Sequence, residues 1–155
     1  MSEMYDFNRR LHTCLYSDYM IYSPRVPVFR EDDGRLLETP FTTSFLTAPA
    51  VNAGAVRKNE PGNIGLIRPT MAARMGELLW TAQEQRHSTL VLGAWGCGVF
   101  GNEPETVAEL FWELLGPQGL FFGCFQRVVY AVFDRAPGRE VLSAFQRKLG
   151  ERPTA

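Results

Sequence analysis

Ser88-Thr89-Leu90-Val91-Leu92-Gly93-Ala94-Trp95-Gly96-Cys97-Gly98-Val99-Phe100-Gly101-Asn102 joins a near-continuous apolar run to a cluster of glycines. Residues 88–94 predict a strand covered on both faces, as strands are in a parallel sheet. Gly96, Gly98 and Gly101 then spell Gly-x-Gly-x-x-Gly, a motif that carries meaning only between a strand and a helix. The helix follows. Val107, Leu110, Phe111, Leu114 and Leu115 share one stripe between Glu103 and Leu115, with Asn102 as N-cap and Glu105 at the third helical position. Gly116-Pro117 is the stop signal.

Outward from this unit the pattern repeats. Upstream, Met71, Met75, Leu78, Leu79 and Ala82 form one helical face, which predicts a helix from an N-cap at Thr70, after Pro69, to about His87. Downstream, Arg127 to Asp134 reads as a second buried strand, and Val141, Leu142, Phe145 and Leu149 mark a last helix after Pro137-Gly138. Nearer the start, Thr42 to Thr47 reads as a buried strand, with a loop from Ala48 to about Pro69. Tyr22 to Arg30 alternates but carries two prolines, which suits an edge strand closed by a turn at residues 31–34. Phe7 to Leu15 is short and irregular and fits a helix. The order β-α-β-α-β-α predicts an α/β fold with parallel strands and right-handed crossovers.

Length and composition agree with one domain. The chain has 155 residues, 45% apolar and 21% charged, with 11 Phe, 5 Tyr and 3 Trp. About 70% of the unfolded surface is buried at this size, so a core forms without disulfides or metal. Sixteen basic against seventeen acidic side chains leave a net charge of −1, so no global field draws in nucleic acid or an anionic membrane. Any anion is bound locally. The start, Met1 to Asp6, lacks a basic and then apolar leader, and no apolar run approaches the ~20 residues of a membrane span. A cytoplasmic chain is expected. Cys14, Cys97 and Cys124 are odd in number and widely spaced, which predicts reduced thiols and neither a disulfide framework nor a metal site; no cofactor is implied.

Chemistry concentrates in the loop Gly96-Cys97-Gly98-Val99-Phe100-Gly101-Asn102. Glycines let backbone approach a ligand, and unpaired N–H groups beside a helix start favour an anion. A phosphate or diphosphate is the natural occupant. A dinucleotide fold would carry the motif in its first βα turn with an acid about 20 residues on; here the next strand-end acid is Asp134. The same glycines also suit a tight turn that needs small residues only for packing. Phe100 has little core to fill from inside such a loop and is placed to stack on or orient a sugar or base.

Leu90 to Asn102, followed by Pro104 and by Val128 to Asp134, resembles the C-terminal part of the microbial-type poly(ADP-ribose) glycohydrolases, a macrodomain family. Residues 16–24, 26–30 and 47–54 resemble the same family, so the likeness covers nearly the whole chain. The resemblance implies a three-layer α/β/α macrodomain-like fold with a mostly parallel sheet, shortened on its N-terminal side. It implies that residues 96–102 wrap the ADP-ribose diphosphate, that Phe100 orients the distal ribose, and that Phe133 and Asp134 lie at the rim. ADP-ribose or poly(ADP-ribose) is the implied partner. The family's catalytic loop, a triple glycine followed by Gln-Glu-Glu, has no counterpart: Gly-Gly-Gly is absent, and Gln83-Glu84 falls near a helix end after no glycine run. No residue of this chain is assigned as catalytic.

Other readings stand beside this one. Cys97, near a helix start, has the setting for a lowered thiol pKa, with His12 or His87 as base, but a small residue between glycines needs no reactivity and a free cysteine more commonly serves as a small apolar filler. Arg25, Arg30, Arg57, Lys58 and Arg68 flank loops and suit either a polyanion or a solvated surface. Glu103, Glu105, Glu109 and Glu113 read as the polar side of a helix. A shortened macrodomain also uncovers sheet edge and apolar faces, which predicts a homo-oligomer or a partner chain over that side.

Overall fold

The computed structural model describes residues 2–150; Met1, where the N-terminal reading begins, lies outside them. The chain divides into two compact units, one built from Met1–Leu11 and Ser17–Pro49, the other from His12–Tyr16 and Ala50–Ala155. Among the described residues no helix is long and apolar enough to cross a membrane.

The first unit holds helix α1 (Ser2–Arg10) and a long hairpin of β1 (Ile21–Arg30) and β2 (Leu36–Thr47). The expected helix at residues 7–15 therefore lies earlier. It stops before His12, which has a left-handed φ of 49° that no helix continues. The two strands pair antiparallel, Ile21 opposite Thr47 and Val28 opposite Phe41, with the register shifting near Arg25, whose φ is 50°. Pro24 and Pro27 are tolerated because both strands are edges of a two-stranded sheet. For the same reason β2 is not the buried strand that its β-branched run suggested: Phe41 and Phe45 are 55% and 49% exposed.

In the second unit the segment expected to be a loop from Ala48 is largely helical. Helix α2 (Ala53–Asn59) is capped by the Asn52 side chain, which accepts from the Ala55 N–H at 3.1 Å. A 3-10 turn at Pro61–Leu66 then leads into helix α3 (Ile67–Glu84). Seven residues are too few for a helical period to be legible, and Gly54 weakens it further. Helix α3 starts three residues before Thr70, with Pro69 in the first turn, where an N–H has no intrahelical acceptor to lose.

Strand β3 (Thr89–Leu92) pairs in parallel with β4 (Arg127–Tyr130), Thr89 opposite Arg127 and Leu92 opposite Tyr130. Helix α4 (Pro104–Leu115) lies between them in sequence and helix α5 (Glu140–Leu149) follows. The strand expected over residues 127–134 ends early: Ala131 N–H makes one more bond to the Leu92 carbonyl, and Val132 N–H turns back to Tyr130. Coverage of β3 is one-sided, with Leu90 buried and Val91 71% exposed.

The core of this unit is built from Val51 and Val56, Met71 and Met75, Val107, Leu110 and Phe111, and Phe145. Thus the apolar stripes of α2, α3, α4 and α5 converge. The chain is an α/β protein.

Candidate phosphate-loop site

The loop between β3 and α4 is closed at its neck by one residue. Asn102 is 5% exposed, and its backbone N–H donates to the Gly96 carbonyl at 3.0 Å. Its side-chain amide donates to the Val51 carbonyl at 2.7 Å and to the Gly96 carbonyl at 3.1 Å. Asn102 is therefore not the N-cap of α4. That place belongs to Glu103, whose side chain makes no capping bond, and Pro104 follows it in the first turn. Glu105 does not complete a capping box; its carboxylate pairs with Arg147 at 2.7 Å.

Glycine is required at two places in the loop. Gly96 and Gly101 have φ of 75° and 63°, where a side chain is strained. A Cβ on Gly96 would also strike the Asn102 amide and would lie 2.7 Å from the Ala50 Cβ. Gly98 differs: its φ is not left-handed, and a Cβ there meets nothing within 4 Å.

Inside the neck, Gly101 N–H donates to the Gly98 carbonyl at 3.0 Å, and the Phe100 carbonyl accepts from Gly54 N–H at 2.9 Å. Arg57 of α2 braces the far side, donating to the Gly101 carbonyl at 2.8 Å and pairing with Glu103 at 3.2 Å. The consecutive N–H groups of Gly98, Val99 and Phe100 have no acceptor among the described residues. Val99 is 98% exposed. Three consecutive unpaired amides in one exposed loop offer donors of the kind that take an anion.

Phe100 is half-buried, packs against the core and sets its ring 5.9 Å from that of Tyr16, tilted by 47°. The expectation that it has little core to fill is corrected accordingly. Tyr16 was not among the sequence candidates, and nothing local marks it.

Cys97 does not suit a nucleophile. Burial first, and then the charges of Glu103 and Glu105, push its thiol up to about 12, opposite to what a thiolate needs. It packs against the core as a small apolar side chain.

Phe133 is 79% exposed, with the Arg135 guanidinium 4.6 Å from its ring centre. Asp134 is committed to the start of α5. One carboxylate oxygen accepts from Ala136 N–H at 3.0 Å and the other from Val141 and Leu142 N–H at 3.0 and 3.2 Å. These bonds, that to Ala136 foremost, hold its pKa below the usual carboxylate range.

The basic residues divide between the units. Arg25 and Arg30 sit on β1, and Arg30 donates to the Gly34 carbonyl at 2.7 Å. Arg68 pairs with Glu113 at 2.6 Å. Among the candidate cations, Arg57 is the one bonded to the glycine loop.

The sequence family described as microbial-type PARG, catalytic domain, matches residues 1–31. No curated protein matches the chain. Among solved structures, poly(ADP-ribose) glycohydrolase from Deinococcus radiodurans, in complex with ADP-ribose, is 46% identical with a TM-score of 0.88, covering 94% of this chain and 58% of that one. The same enzyme in apo form is also 46% identical, with a TM-score of 0.87 over 94% of this chain and 59% of that one. The glycohydrolase from Thermomonospora curvata is 47% identical with a TM-score of 0.89, covering 96% of this chain and 53% of that one. The chain thus spans somewhat more than half the length of these relatives.

Proposed function

Since the chain belongs to the microbial-type poly(ADP-ribose) glycohydrolase family, we propose that it binds ADP-ribose, free or as a unit of poly(ADP-ribose), with the diphosphate held by residues 96–102. The observation that carries this reading is the three unpaired amides at Gly98, Val99 and Phe100, on a loop whose neck is tied shut. An anion-binding surface made of backbone N–H groups suits a diphosphate and needs no lysine. The match to a solved relative holding ADP-ribose supports the same ligand. Phe100, in the same loop, is the residue proposed to orient the distal ribose.

The reading stops at binding. Cleavage of a ribose–ribose bond passes through an oxocarbenium-like state and needs a carboxylic acid aimed at the leaving oxygen. The carboxylates nearest the loop in sequence are engaged elsewhere, Glu103 with Arg57 and Glu105 with Arg147.

Isothermal titration with ADP-ribose, with ADP and NAD as comparators, tests the proposal. Saturable binding is expected, and Gly98→Trp is expected to abolish it with little change in the melting curve, because a Cβ at that position meets no protein atom within 4 Å. Unchanged affinity in the variant overturns the site assignment.

A second reading, that this chain acts through a partner or a second copy, is favoured by Val91, 71% exposed in the middle of β3. Both strands of the β3–β4 sheet are edges, and open sheet edges are ones that proteins normally cover. A dimer mass in size-exclusion chromatography with light scattering, lost on Val91→Lys, supports it.

A further inference from the structure

We infer that Tyr16 is a specificity-determining residue of the loop, holding the Phe100 ring where it discriminates a ligand with a distal ribose from one without. The inference rests on the reading of residues 96–102 as the diphosphate loop. It starts from a backbone outlier. Tyr16 has φ of 60°, a left-handed conformation rare for a bulky side chain, and such conformations persist where the surroundings over-determine them.

Here they do. Arg74 of α3, 1% exposed, donates to the carbonyls of Leu15 at 3.1 Å and Tyr16 at 3.3 Å. Glu60 accepts from the Cys14 N–H at 2.6 Å and from the Thr13 hydroxyl at 2.7 Å. The Cys14 carbonyl accepts from Asn52 N–H at 2.9 Å, one residue from the Val51 carbonyl that holds Asn102. A buried guanidinium and a carboxylate therefore pin residues 13–16 from two sides, and the side chain at the strained position is turned onto Phe100.

The Phe100 backbone is held by Gly54 N–H, and its side chain packs against the core. The neighbouring aromatic ring is Tyr16's. On this inference Tyr16 acts through Phe100, which makes it a positioning residue.

The test is titration of ADP-ribose and ADP into the wild-type chain and into Tyr16→Gly, Tyr16→Asn and Tyr16→Phe. Glycine and asparagine accept a left-handed φ, so both variants keep the backbone while removing the ring. We expect each to weaken ADP-ribose binding about 10-fold, the scale of one aromatic pair, with ADP affinity changed less than about 2-fold. Tyr16→Phe restores ADP-ribose binding. Equal losses for both ligands in the ring-deleted variants, or no loss for either, overturn the inference while the loop reading survives. A wild-type chain that binds neither ligand overturns the loop reading, and this inference with it.

Discussion

Gly96→Ala is the sharpest test of the claim that the loop's neck is a structural lock. A methyl group there meets three costs. The backbone φ of 75° costs an L-residue about 1–2 kcal/mol. The Cβ strikes the Asn102 amide and lies 2.7 Å from the Ala50 Cβ, so both neighbours must move. If the Asn102 amide moves, the buried carbonyl of Val51 loses its donor and that of Gly96 loses one of two. Each buried group so exposed costs about 1–3 kcal/mol. Relaxation takes back part of this, leaving a destabilisation of about 3–5 kcal/mol, at the diagnostic end of single substitutions. At ~2–4 °C per kcal/mol, the second unit melts about 6–20 °C lower. The three tryptophans, Trp80, Trp95 and Trp112, all lie in that unit, so thermal unfolding followed by tryptophan fluorescence reads it directly. Gly98→Ala serves as the control and stays within about 0.5 kcal/mol of wild type. A Gly96→Ala protein that melts within ~2 °C of wild type refutes the lock.

Two further predictions concern carboxylates. Glu60 is held down to about 2, from an ordinary value of 4.5, first by the Cys14 N–H and then by the Thr13 hydroxyl, with Asn63 also donating. Its folded pKa is depressed, so its contribution is fully present above about 4.5 and is lost as the pH falls towards 2. The gap in urea midpoint between wild type and Glu60→Gln is therefore constant between neutral pH and about 5 and shrinks below it; a gap that ignores pH defeats the assignment. Asp134→Ala removes the acceptor for the first amides of α5 and is expected to cost about 1 kcal/mol, measured by urea denaturation. A variant as stable as wild type denies Asp134 the capping role.

The elements legible in the sequence are those that bury a regular face. The stripe of Val107, Leu110 and Phe111 and the apolar run of β3 marked α4 and its preceding strand within a residue or two. The glycine motif marked the loop between them. What stayed hidden depends on partners far along the chain. Asn102 read as a cap because its sequence neighbours suit one, whereas its side chain answers to Val51, 51 residues away. Arg74 has no local mark and is buried against carbonyls 58 and 59 residues upstream. Tyr16 carries no local mark, since a left-handed tyrosine has no sequence signature as a glycine would. The one-sided burial of β3 was illegible for a different reason: an apolar run states what a strand is able to bury, and Val91 is 71% exposed all the same.

The tied neck also sets how a ligand meets this chain. With Gly96 and Asn102 already joined and Arg57 braced on Gly101, the loop has surrendered its conformational entropy during folding. An arriving diphosphate then orders little protein, and its binding energy goes into affinity instead of closure. On the reading proposed above, association is expected to be a single step, with selectivity among anions set by dissociation. On that reading, such a loop would take up and release an anionic ligand without a gate.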